Sequence, residues 1–255
     1  MTARLPQDKL DDLTRIIWDW VTKKWCARKL LEFLVGKLNH ACLVVSPGST
    51  FLRRLNNLLR DSKRHQKLIR LNKDCQLDLQ WWNEFLPSWN GISFLDLPEW
   101  ALVPDFELST DTSSNLGCGA YYQGEWFSAA WLASQKPLGM AYKELYPIII
   151  ACHLWGHRWS RKHVLFHCDN ESVVYIIKSG TSRDETIMYL VRDLFLISAK
   201  FKFHIAAAHL PGKTNLIADA LSRLNFQEFF RLVPHTHPTP VNIPEGLQAR
   251  LTGNL

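Results

Sequence analysis

Four acidic residues stand at places in the sequence where several carboxylates can share one site. They are Asp111, Glu144, Asp169 and Asp219. Asp111 and Asp169 end predicted strands. Glu144 lies in the first turn of a predicted helix, and Asp219 lies within the last predicted helix. Because the carboxyl ends of strands line the ligand crevice of an open α/β sheet, we expect a site to be built at Asp111 and Asp169.

Carboxylates gathered in one crevice have a definite chemical consequence. They repel one another unless cations neutralise their charge, and hard oxygen ligands select magnesium or manganese. Two such ions about 4 Å apart can hold the attacking water and the leaving oxygen of a phosphodiester displacement. Each acid alone is weak evidence, because a solvated Asp at a strand end or helix cap is commoner than a metal ligand. Only the joint placement favours a metal site.

The elements that must position these acids alternate between strands and helices. Five segments are predicted as strands: FELSTD, GCGAYY, WFSAAW, VLFHC and FKFHIAAAHL. Four are predicted as helices: AYKELYPIIIACHLWGHRW with Pro147 in its first turn, ESVVYIIKSG closed by Gly180, ETIMYLVRDLFLISAK and TNLIADALSRL. The order βββαβααβα joins antiparallel strands to parallel crossovers around one sheet, which predicts α/β architecture.

The chain on either side of this α/β segment has a different sequence pattern. Residues 1–100 are predicted to form a small helical unit, since apolar residues recur there at spacings of three and four. The α/β segment itself covers residues 101–225. Residues 226–255 carry four prolines among polar residues and are expected to form a Pro-rich tail or linker.

Positive charge is concentrated in the first part of the chain. The 255 residues include 30 Lys and Arg against 24 Asp and Glu, a net charge of +6. Between residues 53 and 73 only Asp61 opposes a run of basic residues, Arg53, Arg54, Arg60, Lys63, Arg64, Lys67, Arg70 and Lys73. We expect an amphipathic helix with a cationic face here. Charge alone leaves open whether that face is merely solvated or contacts a phosphate backbone.

Several other classes of protein and site are not expected. The six cysteines include no CxxC pair, which favours reduced, mostly buried thiols. His153 and His157 have the spacing of a zinc-binding pair but lack the intervening glutamate of HExxH. No apolar stretch approaches the roughly 20 residues of a membrane span, and MTARLPQDKLDD lacks the apolar centre of a signal peptide. We expect no membrane contact and a location in the cytoplasm or nucleus.

Four segments, in chain order, carry a family resemblance: LSTDTSSNLGCGAYYQ, AYKEL, FHCDNESVVYIIKSGTSR and HLPGKTNLIADALSR. They resemble the RNase H domain of retroelement polyproteins, particularly DIRS-like tyrosine-recombinase retrotransposons, over residues 108–224. The resemblance implies an RNase H-like mixed sheet flanked by helices. It also implies that two Mg²⁺ or Mn²⁺ ions are bound by Asp111, Glu144, Asp169 and Asp219. His209 matches the family's histidine that assists product release or proton transfer. Asn215 agrees with the pattern and is expected to contact nucleic acid.

The resemblance extends into the helical unit. LLEFLVGKLNHACLVVSPGSTFLRRL and DLQWWNEFLPSWNG look like the thumb or connection region that precedes RNase H in the same elements. This implies that the basic segment grips nucleic acid, through Arg53, Arg54, Lys63, Arg64 and Lys67. The family's polymerase carboxylates are absent, since the only adjacent pair, Asp11–Asp12, lies in an early amphipathic helix. We therefore expect no DNA synthesis by this chain alone, and a polymerase module in another chain is one candidate partner.

The activity implied by the resemblance is endonucleolytic hydrolysis of the RNA strand of RNA–DNA hybrids. Glu144 would contact a ribose 2′-hydroxyl. The nucleic-acid backbone would be contacted by Asn170, Ser172 and Arg183, although ordinary helix capping explains such polar residues equally well.

Three alternatives to this activity were weighed. An integrase-type nuclease needs a Glu near Ile205, where no acid lies, and a proofreading-type exonuclease would use Asp105-Phe-Glu107 at a strand start. A catalytically silent remnant that binds nucleic acid or a protein partner stays an open alternative.

Overall fold

The computed structural model describes residues 2–62, 67–88, 92–94 and 104–252. The chain divides into two units, Met1–Pro98 and Glu99–Leu255. Each unit has its own buried apolar residues, so each is described by itself. Within the described ranges, no helix is both long and apolar enough to cross a membrane.

The described part of the first unit holds four helices and two short ribbons of paired strands. The helices are α1 (Gln7–Val21), α2 (Arg28–Cys42), α3 (Arg53–Asp61) and α4 (Lys73–Phe85). The strands β1 (Thr2–Arg4) and β4 (Ile92–Phe94) form one antiparallel ribbon, and β2 (Trp25–Ala27) and β3 (Leu68–Arg70) form the other. The helices bury residues spaced three and four apart, such as Leu31, Leu34 and Leu38 of α2. The ribbons were not expected from the sequence.

The basic segment does not form the single helix expected over residues 53–73. α3 ends at Asp61, and Ser62 after it is extended. The chain then returns as β3, whose three residues alternate between exposed, buried and exposed. This period of two is that of a strand with one buried face, here with Ile69 packed inward opposite Cys26. The helix prediction was wrong beyond Asp61, and Lys63 and Arg64 lie outside the described residues.

The second unit is built around a five-stranded mixed sheet. Its strands are β5 (Phe106–Thr112), β6 (Gly117–Tyr122), β7 (Glu125–Ala130), β8 (His163–Cys168) and β9 (His204–His209). Their order is β7-β6-β5-β8-β9. The first three are antiparallel neighbours, whereas β8 and β9 run parallel to β5. The predicted α/β class is confirmed, and the sheet is consistent with an RNase H-like fold.

Helices flank this sheet and carry the rest of the core. Among the described residues they are α5 (Met140–Trp155), α6 (Glu171–Ser179), α7 (Glu185–Phe201), α8 (Leu216–Ser222), α9 (Phe226–Leu232) and α10 (Glu245–Thr252). Asn170 and Asp184 cap the first turns of α6 and α7 with their side chains. Gly180 ends α6 in the left-handed conformation that suits glycine.

The beginning of α5 differs from the prediction. The helix starts at Met140, so Pro147 lies in its interior and Glu144 is its fifth residue, beyond the first turn. A proline inside a helix removes the hydrogen bond to the carbonyl four residues earlier, here that of Lys143. Every residue of α5 from Tyr142 to Cys152 is buried. Packing of the whole helix therefore outweighs the local cost of the proline.

The segment after Asn225 also differs from the expected tail or linker. It contains α9 and α10, and Phe229 of α9 is fully buried. Ile243, Leu247 and Leu251 join the main core of the second unit. Between the two helices, the Val241 amide donates to the Trp126 carbonyl of β7 at 2.7 Å. Apolar residues interspersed among the prolines fasten this segment to the domain, because their burial compensates the ordering of an irregular chain.

Candidate active site

Parallel pairing of β5 and β8 brings two of the predicted acids to one edge of the sheet. Ser109 lies opposite His167, and the same register carried two residues further sets Asp111 opposite Asp169. Asp111 is the last but one residue of β5, and Asp169 immediately follows β8. Because both strands run in the same direction, both carboxylates lie at their carboxyl ends, where α/β sheets build ligand sites.

Helix α5 supplies a third carboxylate. One carboxylate oxygen each from Glu144 and Asp169 and the sulfur of Cys168 lie within 4.8 Å of one another. The Cys168 thiol donates to Oε2 of Glu144 at 3.7 Å. Glu144 is only 2% exposed. Burial, followed by the negative charges of Asp169 and Asp111, raises the pKa of Glu144 to about 9.

Asp111 is held by a residue that the sequence analysis did not identify. The hydroxyl of Ser222, the last residue of α8, donates to Oδ2 of Asp111 at 2.6 Å, and both residues are buried. The pKa of Asp111 is raised to about 6. Burial is the main cause, the Ser222 hydrogen bond acts in the opposite direction, and the charges of Asp169 and Asp219 add to the increase.

Helix α8 reaches Asp111 because a glycine lies beneath it. Gly119 of β6 is the cross-strand partner of Asp111. A Cβ atom at Gly119 would lie 2.5 Å from the Cβ of Leu221 and 3.1 Å from the Phe127 carbonyl oxygen. Any side chain there would force α8 away from the sheet. The sequence signal for Ser222 was its spacing of three residues from Asp219, which places both on one helix face.

Of the four acids, Asp219 is the one for which the described part of the chain shows an ion pair with a basic residue. Its Oδ1 accepts a hydrogen bond from Nε of Arg223 at 2.6 Å, one turn further along the chain. Both side chains are partly exposed. The charge of Asp219 still acts on Asp111, whose pKa it raises. The charges of the four predicted acids therefore act on one another, with Asp169 exposed, Asp219 partly exposed, and Asp111 and Glu144 buried.

The chemistry of this group suits a hard divalent cation. Among the described residues, no ion pair joins Asp111, Glu144 or Asp169 to Lys or Arg. Asp111 and Glu144 are buried, and buried carboxylates without such partners need either protons or a cation, whereas Asp169 is exposed. Carboxylate oxygens favour Mg²⁺ or Mn²⁺. Cys168 is a poor ligand for these ions, because burial raises the pKa of its thiol and keeps it protonated. The site fits a hard cation held by the carboxylates alone.

Comparisons with known proteins do not identify a family for this chain. No protein-family model and no curated protein matches the chain. Among solved structures, the chain is similar to a foamy viral protease-reverse transcriptase, dRH, in complex with double-stranded DNA. The two are 12% identical with a TM-score of 0.29, and the match covers 81% of this chain and 35% of that chain. The chain thus spans about a third of the length of that protein.

His209 lies beside the acid group. It is the last residue of β9, paired with Cys168, and it is exposed. In the loop that follows, Gly212 comes so close to Asp169 that a Cβ atom would lie 3.0 Å from Oδ2. The loop after β9 therefore packs directly against the Asp169 carboxylate, with His209 at its start.

Asn215 has a different place from the nucleic-acid contact predicted for it. It is 2% exposed, and its Nδ2 donates to the Thr110 carbonyl at 2.9 Å. Thr110 directly precedes Asp111, so Asn215 ties the start of α8 to the acid-bearing end of β5. A buried side chain with this bond cannot contact a nucleic-acid backbone. Asn215 instead fixes the distance between α8 and β5.

Of the other nucleic-acid contacts predicted in the second unit, one residue caps a helix and two are exposed. Oδ1 of Asn170 accepts hydrogen bonds from the amides of Ser172 and Val173, so its side chain caps α6. The side chains of Ser172 and Arg183 are exposed in the segment that follows Asp169. The capping explanation therefore applies to Asn170, whereas Ser172 and Arg183 remain predicted contacts.

In the first unit, the predicted contacts have unlike surroundings. Arg54 forms ion pairs with Asp78 at 3.2 Å and Asp74 at 3.6 Å, which direct its guanidinium into the unit. Arg53 is half-buried and Lys67 is exposed. Arg54 therefore links α3 to α4 and does not form part of an exposed cationic face. Lys67 stays a predicted contact to nucleic acid.

Proposed function

We propose that the second unit is a ribonuclease H-type endonuclease that hydrolyses the RNA strand of RNA–DNA hybrids with Mg²⁺ or Mn²⁺. The observation that carries this proposal is the group of three carboxylates without cationic partners among the described residues, Asp111, Glu144 and Asp169. They lie where two parallel strands end beside a buried helix. Such a group can bind divalent cations, and two-metal hydrolysis of phosphodiesters uses sites of this kind.

The chain's own residues have separate tasks in this proposal. Asp111, Glu144, Asp169 and Asp219 supply the oxygen ligands for two ions. Ser222 fixes Asp111 through its 2.6 Å hydrogen bond, so that one carboxylate oxygen keeps its direction. Bound ions of this type lower the pKa of water and neutralise charge on phosphate oxygens. Asp219 would help to hold a cation through the carboxylate that now accepts a hydrogen bond from Arg223.

Substrate recognition rests on residues around the acids. Glu144 is assigned the contact to a ribose 2′-hydroxyl, the group that distinguishes RNA from DNA. Exposed Ser172 and Arg183 are assigned contacts to the nucleic-acid backbone. His209, exposed at the end of β9, assists proton transfer or product release. Each of these assignments follows the resemblance described above. Exposure of the side chain supports those of Ser172, Arg183 and His209, whereas that of the buried Glu144 rests on the resemblance alone.

The same resemblance extends the proposal to the whole chain. We assign it to a DIRS-like retrotransposon reverse transcriptase, with a thumb or connection-like first unit. The polymerase carboxylates are absent from these 255 residues, so DNA synthesis would require a polymerase module outside them. A place of action in the cytoplasm or nucleus fits this assignment.

The proposal is tested by cleavage of an RNA–DNA hybrid labelled on each strand. The wild-type chain is compared with Asp169→Asn and with Glu185→Gln, an exposed acid of α7 outside the site. We expect cleavage of the RNA strand with Mg²⁺ or Mn²⁺, none with EDTA, and none with Asp169→Asn. Glu185→Gln should cut like the wild type.

Other results would contradict the proposal in distinguishable ways. Cleavage by Asp169→Asn at the wild-type rate would show that another site or a contaminant acts. An intact hybrid that is bound with strong salt dependence would favour the catalytically silent binding module instead. Equal cleavage of the DNA strand would exclude recognition through the 2′-hydroxyl.

A further inference from the structure

The ribbon of β2 and β3 in the first unit has one exposed face that no part of the proposed nuclease uses. Trp25 lies directly opposite Arg70, and Ala27 directly opposite Leu68. Residues opposite one another in an antiparallel pair project on the same side. Trp25 is 55% and Leu68 58% exposed, whereas Cys26 and Ile69 fill the buried side. We call the side formed by Trp25, Ala27, Leu68 and Arg70 the ribbon face.

Only basic charges surround the ribbon face in the sequence. Residues 20–31 and 67–73 contain no Asp or Glu. The exposed basic residues of these two stretches are Lys24, Lys29, Lys67, Arg70 and Lys73. Among the described residues, no ion pair occupies Lys24, Lys67 or Arg70. The surface therefore combines an exposed indole with cations that nothing described in the unit neutralises.

We propose that the ribbon face binds single-stranded nucleic acid, with an unpaired base stacked on Trp25 and phosphates held by Arg70, Lys67 and Lys24. Base stacking on aromatic side chains beside a basic track is the general mode of single-strand binding. A duplex offers no free base face to Trp25, so the unpaired strand is the preferred occupant. The inference does not depend on the nuclease proposed for the second unit.

The first unit also supplies a matched control surface. Trp18 of α1 is 70% exposed, and Arg15 on the same helix is exposed as well. Arg15, however, is paired with Asp12 at 2.9 Å. This second aromatic and basic surface thus has its arginine neutralised. If exposure of Trp alone caused binding, Trp18 and Trp25 would contribute equally.

The test measures the fluorescence anisotropy of a labelled single-stranded oligonucleotide of mixed sequence, titrated with the full chain in EDTA. Trp25→Ala should weaken binding about 5- to 150-fold, the range found for loss of one stacked base. Trp25→Phe should restore most of the affinity, and Trp18→Ala should leave it unchanged. Arg70→Gln should lower the slope of log affinity against log salt by about 0.7, as loss of one single-strand phosphate contact requires.

Several outcomes would overturn the inference. The first is that the wild type does not bind the oligonucleotide. The second is that Trp18→Ala and Trp25→Ala lose the same amount of affinity for it. The third is that Trp25→Ala loses as much affinity for a duplex of the same sequence as for the single strand. Circular dichroism shows whether Trp25→Ala still folds, and Arg70→Gln tests the same surface without removing apolar area. Binding is measured in EDTA, where the proposed metal-dependent cleavage does not occur, so failure of the nuclease proposal and failure of this one are separable.

Discussion

Replacement of Glu144 by Gln is expected to stabilise the metal-free protein. The Glu144 carboxyl is buried beside Asp169 and Asp111, which raises its pKa from 4.5 to about 9. Between these two pH values the unfolded chain has released a proton that the folded chain still holds. The free energy of unfolding therefore falls as the pH rises through this window. A glutamine keeps nearly the same shape but has no proton to lose, so it avoids this decrease.

The size of the effect follows from the pKa difference. For each pH unit above the unfolded pKa, the free energy of unfolding of the wild type falls by about 1.4 kcal/mol, until the pH reaches the folded pKa. At pH 7 the Glu144→Gln variant should therefore be more stable than the wild type by about 3 kcal/mol. At pH 5 the difference should shrink to about 1 kcal/mol, because pH 5 lies only slightly above the pKa of the unfolded glutamate.

Urea unfolding in EDTA, followed by circular dichroism at pH 5, 6, 7 and 8, measures this difference directly. Glu84→Gln, which removes an exposed acid of the first unit, should match the wild type at each pH. Added Mg²⁺ should stabilise the wild type more than Glu144→Gln, since the ion takes the place of the proton. If Glu144→Gln were no more stable than the wild type at pH 8, the buried-acid reasoning would be refuted.

Three further predictions address the residues that support the site. Ser222→Ala removes the hydrogen bond to Asp111. In a metal titration, it should raise the Mg²⁺ concentration for half-maximal cleavage about 10-fold, and Ser222→Thr should retain part of the Mg²⁺ affinity. Gly119→Ala would place a Cβ 2.5 Å from that of Leu221 and should cost about 1 to 3 kcal/mol of stability in thermal unfolding. An unchanged melting temperature would show that α8 can move freely. Phe229→Ala removes a fully buried ring from α9 and should lower the free energy of unfolding by about 3 to 5 kcal/mol, as measured with urea. A decrease near zero would show that residues 226–255 are a loose tail.

The sheet and the meeting of the acids were predictable for a physical reason. Strands and helices of the α/β segment keep their own periodicities, and caps such as Asn170 and Gly180 mark where α6 begins and ends. Once β5 and β8 are parallel, the residues after them must share one edge. Asp111 and Asp169 could therefore be placed together from local patterns and one topological rule.

Other features depended on packing that local patterns do not encode. Pro147 looked like a helix start, yet the burial of nearly all of α5 carries the helix through it. Leu68, Ile69 and Arg70 resembled the end of a helix until their pairing with β2 set a period of two. The contact of Ser222 with Asp111 joins residues 111 positions apart. Asn215, likewise, bonds to the Thr110 carbonyl, a partner that its own surroundings in sequence do not reveal.

The most direct test of the central claim uses a duplex in which one strand is DNA with a short internal run of ribonucleotides. The wild-type chain and Asp169→Asn are purified in parallel and incubated with Mg²⁺. The account predicts that the wild type cuts only within the ribonucleotides, leaving a 5′-phosphate and a 3′-hydroxyl, and that Asp169→Asn leaves the strand intact. Cuts outside the ribonucleotides, cuts in EDTA, or equal cutting by both proteins would contradict it.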